Sequence, residues 1–249
     1  MLYKNACCVK LVISLQIIFF HLYSKNNFIK QFMAKIKACL FDLDGVICDT
    51  AKYHYLAWKR LANELGFDIS HDFNETLKGV NRMDSLNKIL IQGKIKCSEE
   101  EKETYAAKKN EWYLEYIKQM KPSEILPGVI AIFEELKKRK IKIALGSASK
   151  NAQIILDLLQ ITHYFDAIID GTMVEKGKPN PEVFLKGAEA CGVKPKDCIV
   201  FEDALEGVKA GLAAGCKTVG VGDMKTLKRA DMVISSFADI SFQEIMDCL

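Results

Sequence analysis

The stretch KIKACLFDLDGVICDT, residues 35–50, places two carboxylates, Asp42 and Asp44, directly after a short apolar run. The run, residues 36–41, has the length and composition of a buried β-strand. Side chains two residues apart on an extended chain lie on the same side, so the two acids repel each other. Such a pair is tolerated where a cation and a phosphate fill the space between its members. It could then supply a nucleophile and a general acid/base.

Further polar clusters follow short apolar runs in the second half of the chain. Ser147 and Ser149 follow IKIALG, Glu202 and Asp203 follow CIVF, and Lys178 lies in EKGKPNP. Taken singly, each has an ordinary explanation as a turn or a helix cap. In open parallel sheets, however, ligands bind beyond the carboxyl ends of the strands. We therefore predict that these clusters meet the first acid pair in one crevice.

Four carboxylates in one crevice require a cation, and oxygen ligands of this kind suit Mg²⁺. The predicted metal site comprises Asp42, Asp44, Glu202 and Asp203. A cation there would also neutralise the charge of a phosphate. Lys178 and the Ser147 hydroxyl would bind the remaining phosphate oxygens.

The elements that must position these residues fall into two groups. Between residues 51 and 120 the pattern predicts helices only, at residues 51–66, 83–93 and 98–120. From residue 127 onwards, helical patterns alternate with short β-rich runs, which is typical of βαβ units and a parallel sheet. We therefore predict an α/β fold with a Rossmann-like parallel-sheet core and an inserted helical cap domain.

The predicted domains are a core of residues 33–50 and 121–249, a cap of residues 51–120 and an N-terminal extension of residues 1–32. The apolar run KLVISLQIIFFHL in the extension is short of the roughly 20 residues that span a bilayer. It is not followed by a small-x-small cleavage site. We interpret Met33 as the true start. An uncleaved peripheral anchor is the next alternative, followed by secretion.

The composition excludes several classes of protein. With 249 residues, 49% of them hydrophobic, the chain can bury a full core. The net charge is only +3 and there is no basic block, so nucleic-acid binding is not expected. The 9 cysteines are scattered, without C-x-x-C or zinc spacing. We expect a cytoplasmic monomer without disulfides that does not bind a membrane.

The four stretches FDLDGVICDT, GSASKN, KGKPNPEVF and VFEDALEGVKAG resemble, in order and spacing, the motifs of the haloacid dehalogenase superfamily of phosphotransferases. The resemblance covers about residues 35–240. In the predicted cap, DTAKYHYLAWKRLA, LKGVNRMDSL and AKKNEWY are similar to the superfamily members that isomerise glucose phosphates. Most phosphatases of the superfamily share the core motifs but diverge in the cap.

The resemblance implies a role for each matching residue. Asp42 would be the nucleophile and Asp44 the general acid/base. Mg²⁺ would be held by the Asp42 side chain, the Asp44 carbonyl and Asp203, with Glu202 close by. The implied ligands of the transferring phosphate are Ser147 and Lys178, and those of the second phosphate are Arg82, Ser149, Lys150 and Asn151. Thr50, His54, Trp58 and Lys109 would line the sugar site and the hinge, with Gly79 and Ser85 completing the substrate-binding set.

Without the resemblance, several cap residues have simpler interpretations. His54 and Trp58 would be packed helix residues, and Lys109 would lie on the solvated face of a charge-rich helix. Arg82 is better placed for binding, because it follows Gly79 and its neighbours in a predicted loop, from which a long cation can reach the crevice.

The implied activity is that of an Mg²⁺-dependent phosphomutase. It would interconvert β-D-glucose 1-phosphate and glucose 6-phosphate through an aspartyl-phosphate and a bound β-glucose 1,6-bisphosphate. One alternative is a sugar-phosphate or phosphoglycolate-type phosphatase that uses the same core and lets water attack. Another is a non-catalytic, membrane-tethered binding protein. The intact pair Asp42 and Asp44 argues against that alternative, because a binding module does not need both acids.

Overall fold

The computed structural model describes residues 36–77 and 80–249. The interpretation of residues 1–32 as an extension, the start at Met33 and the binding role of Gly79 all fall outside the described residues.

A six-stranded parallel sheet lies at the centre of the described chain. In chain order the strands are β1 (Ala38–Phe41), β2 (Lys142–Gly146), β3 (Ala167–Ile169), β4 (Cys198–Glu202), β5 (Lys217–Val221) and β6 (Met232–Ile234). The spatial order is β3-β2-β1-β4-β5-β6. β1 therefore lies between β2 and β4, where the direction of strand addition reverses. This confirms the predicted α/β fold, with β6 as a strand that the sequence pattern did not indicate.

The helices fall before and after β2 in the chain. They are α1 (Ala51–Glu64), α2 (His71–Glu75), α3 (Arg82–Gln92), α4 (Glu99–Ile117), α5 (Val129–Lys138), α6 (Ala152–Leu158), α7 (Glu182–Ala190), α8 (Leu205–Ala213), α9 (Met224–Leu227) and α10 (Phe242–Cys248). Short 3₁₀-helices occur at Pro122–Glu124, Thr162–Tyr164, Pro195–Asp197 and Phe237–Asp239. None of these helices, within residues 36–77 and 80–249, has the length and apolarity needed to cross a bilayer.

The central strands are buried on both faces, as expected for a parallel sheet covered by helices. The rings of Phe41 in β1 and Phe201 in β4 stack 4.8 Å apart on one face, where Phe41 also meets Phe133 of α5. Leu40 belongs to the apolar cluster on the other face, together with Phe184 of α7. Because side chains alternate along a strand, β1 is held from both sides up to its last residue.

Helices α1 to α4 follow β1 directly and form a helical segment. α4 packs against both α1 and α3. Ser98 caps α4 in a capping box with Glu101, so the predicted start of this helix is confirmed. Gly93 follows the last residue of α3. No strand occurs among the described residues of the segment, and the division into a cap and a core stays a prediction.

The two linkers between the helical segment and the sheet run side by side. Cys48 forms an antiparallel bridge with Ile125. The backbone N–H of Leu126 donates to the carbonyl of Ile47 at 2.9 Å. The helical segment therefore leaves and rejoins the sheet at adjacent points, next to the acids that follow β1.

Candidate active site

The ends of three neighbouring strands place polar side chains at one edge of the sheet. Asp42 follows β1, Ser147 follows β2, and Glu202 is the last residue of β4. All three are buried, with Ser147 and Glu202 each only 1% exposed. The backbone N–H of Asp42 still donates to Phe201 in β4 at 3.0 Å, which extends the sheet bonding into the site. The crevice predicted at the carboxyl ends of the strands is present.

Lys178 joins two of these carboxylates. Its ammonium donates to Asp42 Oδ1 and to Glu202 Oε1, and its side chain is 2% exposed. Burial lowers the pKa of Lys178, but the two carboxylates outweigh burial and raise the pKa above its ordinary value. The lysine is therefore a permanent cation at the floor of the crevice.

The loop that carries Lys178 is held by the first residue of α7. The Glu182 carboxylate accepts hydrogen bonds from the backbone N–H groups of Lys176, at 2.9 Å, and Glu175, at 3.1 Å. The ion pair with Lys186 and these backbone bonds lower the pKa of Glu182 to about 2. The loop is thus fixed on a helix that packs against the sheet, which positions Lys178.

Three carboxylates form a group that fits a divalent cation. Asp42, Glu202 and Asp203 each offer one oxygen, and these atoms lie within 4.8 Å of one another. Two glycines make room for them. A Cβ at Gly45, where φ is +78°, would lie 2.1 Å from Asp203 Oδ2, and a Cβ at Gly207 would lie 1.8 Å from Glu202 Oε1. The donor set, made only of carboxylate oxygens, suits a hard divalent cation.

Glu202 has an environment that also favours a bound proton or cation. Burial, together with the charge of Asp42, outweighs the nearby Lys178 and raises the pKa of the Glu202 carboxyl above its ordinary value. The backbone N–H of Ala204 donates to the same carboxyl group at 3.1 Å. The Glu202 carboxyl group is therefore held at one oxygen by Lys178 and at the other by Ala204.

Asp44 differs from Asp42 in its partners. The hydroxyl of Thr50 does not cap α1 but donates to Asp44 Oδ1. Burial and the negative charge of Asp42 raise the pKa of Asp44 to about 8, against the opposing effect of Lys178. A carboxyl group that holds its proton near neutral pH can act as a general acid.

One cavity collects most of the predicted residues from both the sheet and the helical segment. Those that line it are Asp42, Asp44, His54, Trp58, Arg82, Ser85, Lys109, Ser147, Ser149, Lys150, Asn151 and Asp203. Thr50, Lys178 and Glu202 do not line it, but they are connected to its acids by hydrogen bonds.

Three polar residues line the cavity without having been predicted. They are Asp49, Asn74 and Asn110. Asn110 follows Lys109 in the motif AKKNEWY, and this adjacency was the one available signal for it. Asn74 lies in the short helix α2, which itself was not predicted, so the sequence pattern offered no reason to select it.

Lys109 is enclosed by aromatic rings inside the cavity. Its side chain is 2% exposed. Its Nζ lies 2.9 Å from His54 Nδ1, 4.4 Å from the centre of the Trp58 ring and 4.7 Å from that of Tyr113. Burial and the nearby cation Arg82 lower the pKa of Lys109 well below its ordinary value. The simpler interpretation of Lys109 as a solvated residue is wrong, because the rings keep water away.

A hydrogen-bonded chain joins the helical segment to the sheet. Arg82 Nη2 donates to Asn110 Oδ1 at 2.8 Å, and Asn151 Nδ2 donates to the same oxygen at 2.9 Å. The loop after β2 is ordered by its own serines. Ser147 Oγ accepts from the N–H of Ser149 at 3.1 Å, and Ser149 Oγ accepts from the N–H of Asn151 at 3.2 Å. The serine bonds order the loop, and the bond from Asn151 to Asn110 ties it to the helical segment.

This fold and this arrangement of acids occur in a known family. The family described as haloacid dehalogenase-like hydrolase matches residues 36–215. The chain belongs to this family, as its motifs indicated.

The relatives of this chain include both mutases and phosphatases. β-Phosphoglucomutase of Bacillus subtilis (strain 168) is 42% identical over 210 residues, which cover 84% of this chain and 93% of the relative. The crystal structure of β-phosphoglucomutase from Clostridium difficile is 45% identical, with a TM-score of 0.83, and the match covers 86% of this chain and 96% of that one. A phosphorylated carbohydrates phosphatase of Thermotoga maritima is 30% identical over 222 residues, 86% of this chain and 98% of the relative.

Proposed function

We propose that this chain interconverts β-D-glucose 1-phosphate and glucose 6-phosphate, the reaction of a β-phosphoglucomutase. The observation that carries the proposal is that Arg82, from the helical segment, and Asn151, from the loop after β2, donate to one oxygen in the cavity that also contains Asp42. A mutase must hold the two phosphates of a bisphosphate, whereas a phosphatase needs to hold only one. The two mutase relatives at 42% and 45% identity support the same reaction.

Asp42 is the proposed nucleophile and Asp44 the proposed acid/base. In the first transfer, the phosphoryl group on Asp42 passes to the 6-hydroxyl of β-glucose 1-phosphate, and the hydroxyl proton passes to Asp44. The bisphosphate then turns round in the site. In the second transfer, Asp42 attacks the phosphorus at C1, the C1 oxygen leaves with the proton from Asp44, and glucose 6-phosphate is released.

The transferring phosphate would be held by Lys178, which already donates to Asp42, and by Ser147, which lines the same cavity. Mg²⁺ would be held by Asp42, Asp203 and the Asp44 carbonyl, with Glu202 close by. When bound, it would neutralise charge on the phosphate and on the carboxylates. Lys178 is oriented by the carboxylates of Asp42 and Glu202, so it requires little rearrangement to reach a phosphate oxygen.

The helical segment would act as the cap that recognises the sugar and the second phosphate. The proposed ligands of that phosphate are Arg82, Ser149, Lys150 and Asn151. His54, Trp58, Ser85 and Lys109 face the remaining space of the cavity, and Gly79 stays a predicted contact. Because these residues line the same cavity as Asp42, a closed cap would exclude the water that otherwise hydrolyses an aspartyl-phosphate.

One assay decides between mutase and phosphatase. Glucose 6-phosphate formation is followed with β- and with α-glucose 1-phosphate, each with catalytic β-glucose 1,6-bisphosphate, and phosphate release is measured in the same preparation. We expect glucose 6-phosphate from the β anomer, at a rate well above that of phosphate release. Phosphate release as the main reaction would contradict the mutase and support the phosphatase.

A cytoplasmic location and a monomeric state are part of the same proposal. The scattered cysteines of the sequence, without C-x-x-C or zinc spacing, support a reducing compartment.

A further inference from the structure

Asn110 occupies a central position in the cavity, yet the proposed mechanism gives it no role. Its Oδ1 atom accepts hydrogen bonds from both Arg82 and Asn151. A guanidinium has only donors, so the Asn110 atom that faces Arg82 must be the oxygen. The same oxygen requires a donor from Asn151, which fixes the orientation of that amide as well. The Oδ1 atom of Asn110 therefore orients the side chains of both Arg82 and Asn151.

The position of Asn110 in the fold suits this task. Arg82 is the first residue of α3 and Asn151 directly precedes α6, so each lies at a helix terminus. Asn110 lies inside α4, a helix of 19 residues, where the backbone is held by hydrogen bonds in both directions. Its amide nitrogen makes no hydrogen bond within residues 36–77 and 80–249, so its two N–H groups stay available to a ligand in the cavity.

The neutrality of Asn110 is as informative as its geometry. An aspartate here would hold Arg82 more strongly, through a charge-assisted bond. It would also cancel the positive charge of Arg82 and repel an incoming phosphate. An amide orients the guanidinium and leaves its charge for the ligand. Arg82 has five N–H donors and gives one to Asn110 in this contact, so the others remain for phosphate oxygens.

We propose that Asn110 is a positioning residue that holds Arg82 and Asn151 as a pair for the second phosphate of the substrate. This inference rests on the proposed function. It makes residue 110 a determinant of specificity for substrates with a phosphate at that end.

The test compares Asn110→Asp with Asn110→Ala. The aspartate has nearly the same shape and keeps both acceptor contacts, so it isolates the charge. We expect Asn110→Asp to lower kcat/KM for β-glucose 1-phosphate by roughly 100-fold or more, and Asn110→Ala by about 10-fold, mainly through KM. Hydrolysis of acetyl phosphate, which has a single phosphate and no sugar, should stay within about twofold of wild type in both variants.

Asn63→Asp is the matched control. Asn63 is an exposed residue of α1 and does not line the cavity, so the same change of charge should leave both activities unchanged. Circular dichroism of all variants verifies the fold. The positioning role is overturned if Asn110→Ala keeps the wild-type KM for β-glucose 1-phosphate, or if acetyl phosphate hydrolysis falls in parallel.

The wild-type assay separates this inference from the proposed function. If wild type makes no glucose 6-phosphate, the mutase proposal fails on its own. The inference is then tested by calorimetric binding of β-glucose 1,6-bisphosphate. Weaker binding to Asn110→Ala than to wild type supports it, and binding as tight as that of wild type overturns it.

Discussion

The Nζ atom of Lys109 in α4 lies 2.9 Å from the Nδ1 atom of His54 in α1. With both ring nitrogens protonated, His54 could not accept a hydrogen bond from Lys109, whereas the neutral ring can accept one at Nδ1. Burial, followed by the charges of Lys109 and Arg82, lowers the pKa of His54 well below its ordinary value. The buried site therefore favours a neutral imidazole.

We expect the free energy of unfolding to depend on this imidazole at mildly acidic pH. The pKa of His54 is lower in the folded than in the unfolded protein, so its contribution to stability is present above pH 6.5, the ordinary pKa. It is lost as pH falls, because the unfolded chain then binds a proton that the folded one does not. Urea unfolding between about pH 5 and pH 8 should show a smaller pH slope for His54→Gln than for wild type. The exposed His163→Gln is the control, and equal slopes for both variants would assign the effect to other groups.

We expect Asp42→Asn to abolish turnover while the protein stays folded. The amide has nearly the shape of the carboxylate but is a far weaker nucleophile. Lys178 keeps Glu202 as a partner, so the fold should survive. Turnover and thermal unfolding are measured on the same preparation. Turnover near the wild-type rate would place the nucleophile elsewhere.

We expect Asp44→Asn to slow both phosphoryl transfers by roughly 10²–10⁴-fold, the usual contribution of a positioned acid/base. Asp42, Asp203 and Lys178 are untouched, so binding of phosphate and Mg²⁺ should remain. Single-turnover kinetics across pH measure the effect. A slow variant whose pH profile matches that of wild type would show that another residue transfers the proton.

We expect Arg82→Ala to lower the kcat/KM of the mutase reaction by roughly one to four powers of ten, through loss of charge-assisted bonds to the second phosphate. Acetyl phosphate hydrolysis should be nearly unchanged, because the groups around Asp42 are intact. Arg82→Lys should recover part of the loss, since it keeps the charge but not the planar fork. Arg60→Ala is the control, because Arg60 lies over the Trp112 ring, outside the cavity.

The two activities of Arg82→Ala, measured together, test the assignment. If both fall in parallel, Arg82 supports the fold or the site around Asp42. If neither falls, Arg82 does not bind the second phosphate, and the phosphatase alternative gains support.

We expect Gly207→Ala to weaken Mg²⁺ binding by about 10-fold or more, because the new methyl group would displace the Glu202 carboxylate. Calorimetric titration with Mg²⁺ measures the loss directly. Gly187→Ala is the control, since a Cβ there would have its nearest neighbour, on Leu40, at an ordinary 3.6 Å. Equal affinities in the two variants would show that Glu202 is not needed for the ion.

The elements that could be predicted are those with a strong local pattern. β1 and β4 are continuous apolar runs, and Ser98 followed by acids predicts the start of α4. β6 is apolar throughout but has only three residues, which are too few to be distinguished as a strand. α2 has five residues, too few to show a helical period.

The residues of the site likewise divide into those that a general rule predicts and those that it does not. Asp42, Ser147 and Glu202 follow from one physical rule, that ligands bind at the carboxyl ends of parallel strands. Apart from Arg82, residues of the helical segment could be selected only through the family resemblance. Lys109 lies in a helix rich in charge, and its burial depends on packing against α1, which no local pattern encodes. Asn110 was missed because its role arises from contacts with two other elements.

The pairing of Cys48 with Ile125 also bears on the order in which the chain folds. β1 and β2 pair residues such as Phe41 and Leu145, which are far apart in sequence, and the entropic cost of closing a loop rises with its length. If α1 to α4 form first, they bring residues 48 and 125 together before the sheet exists. The loop that remains to be closed between β1 and β2 is then short. The two strands, although far apart in sequence, would then pair at a rate closer to that of a local contact.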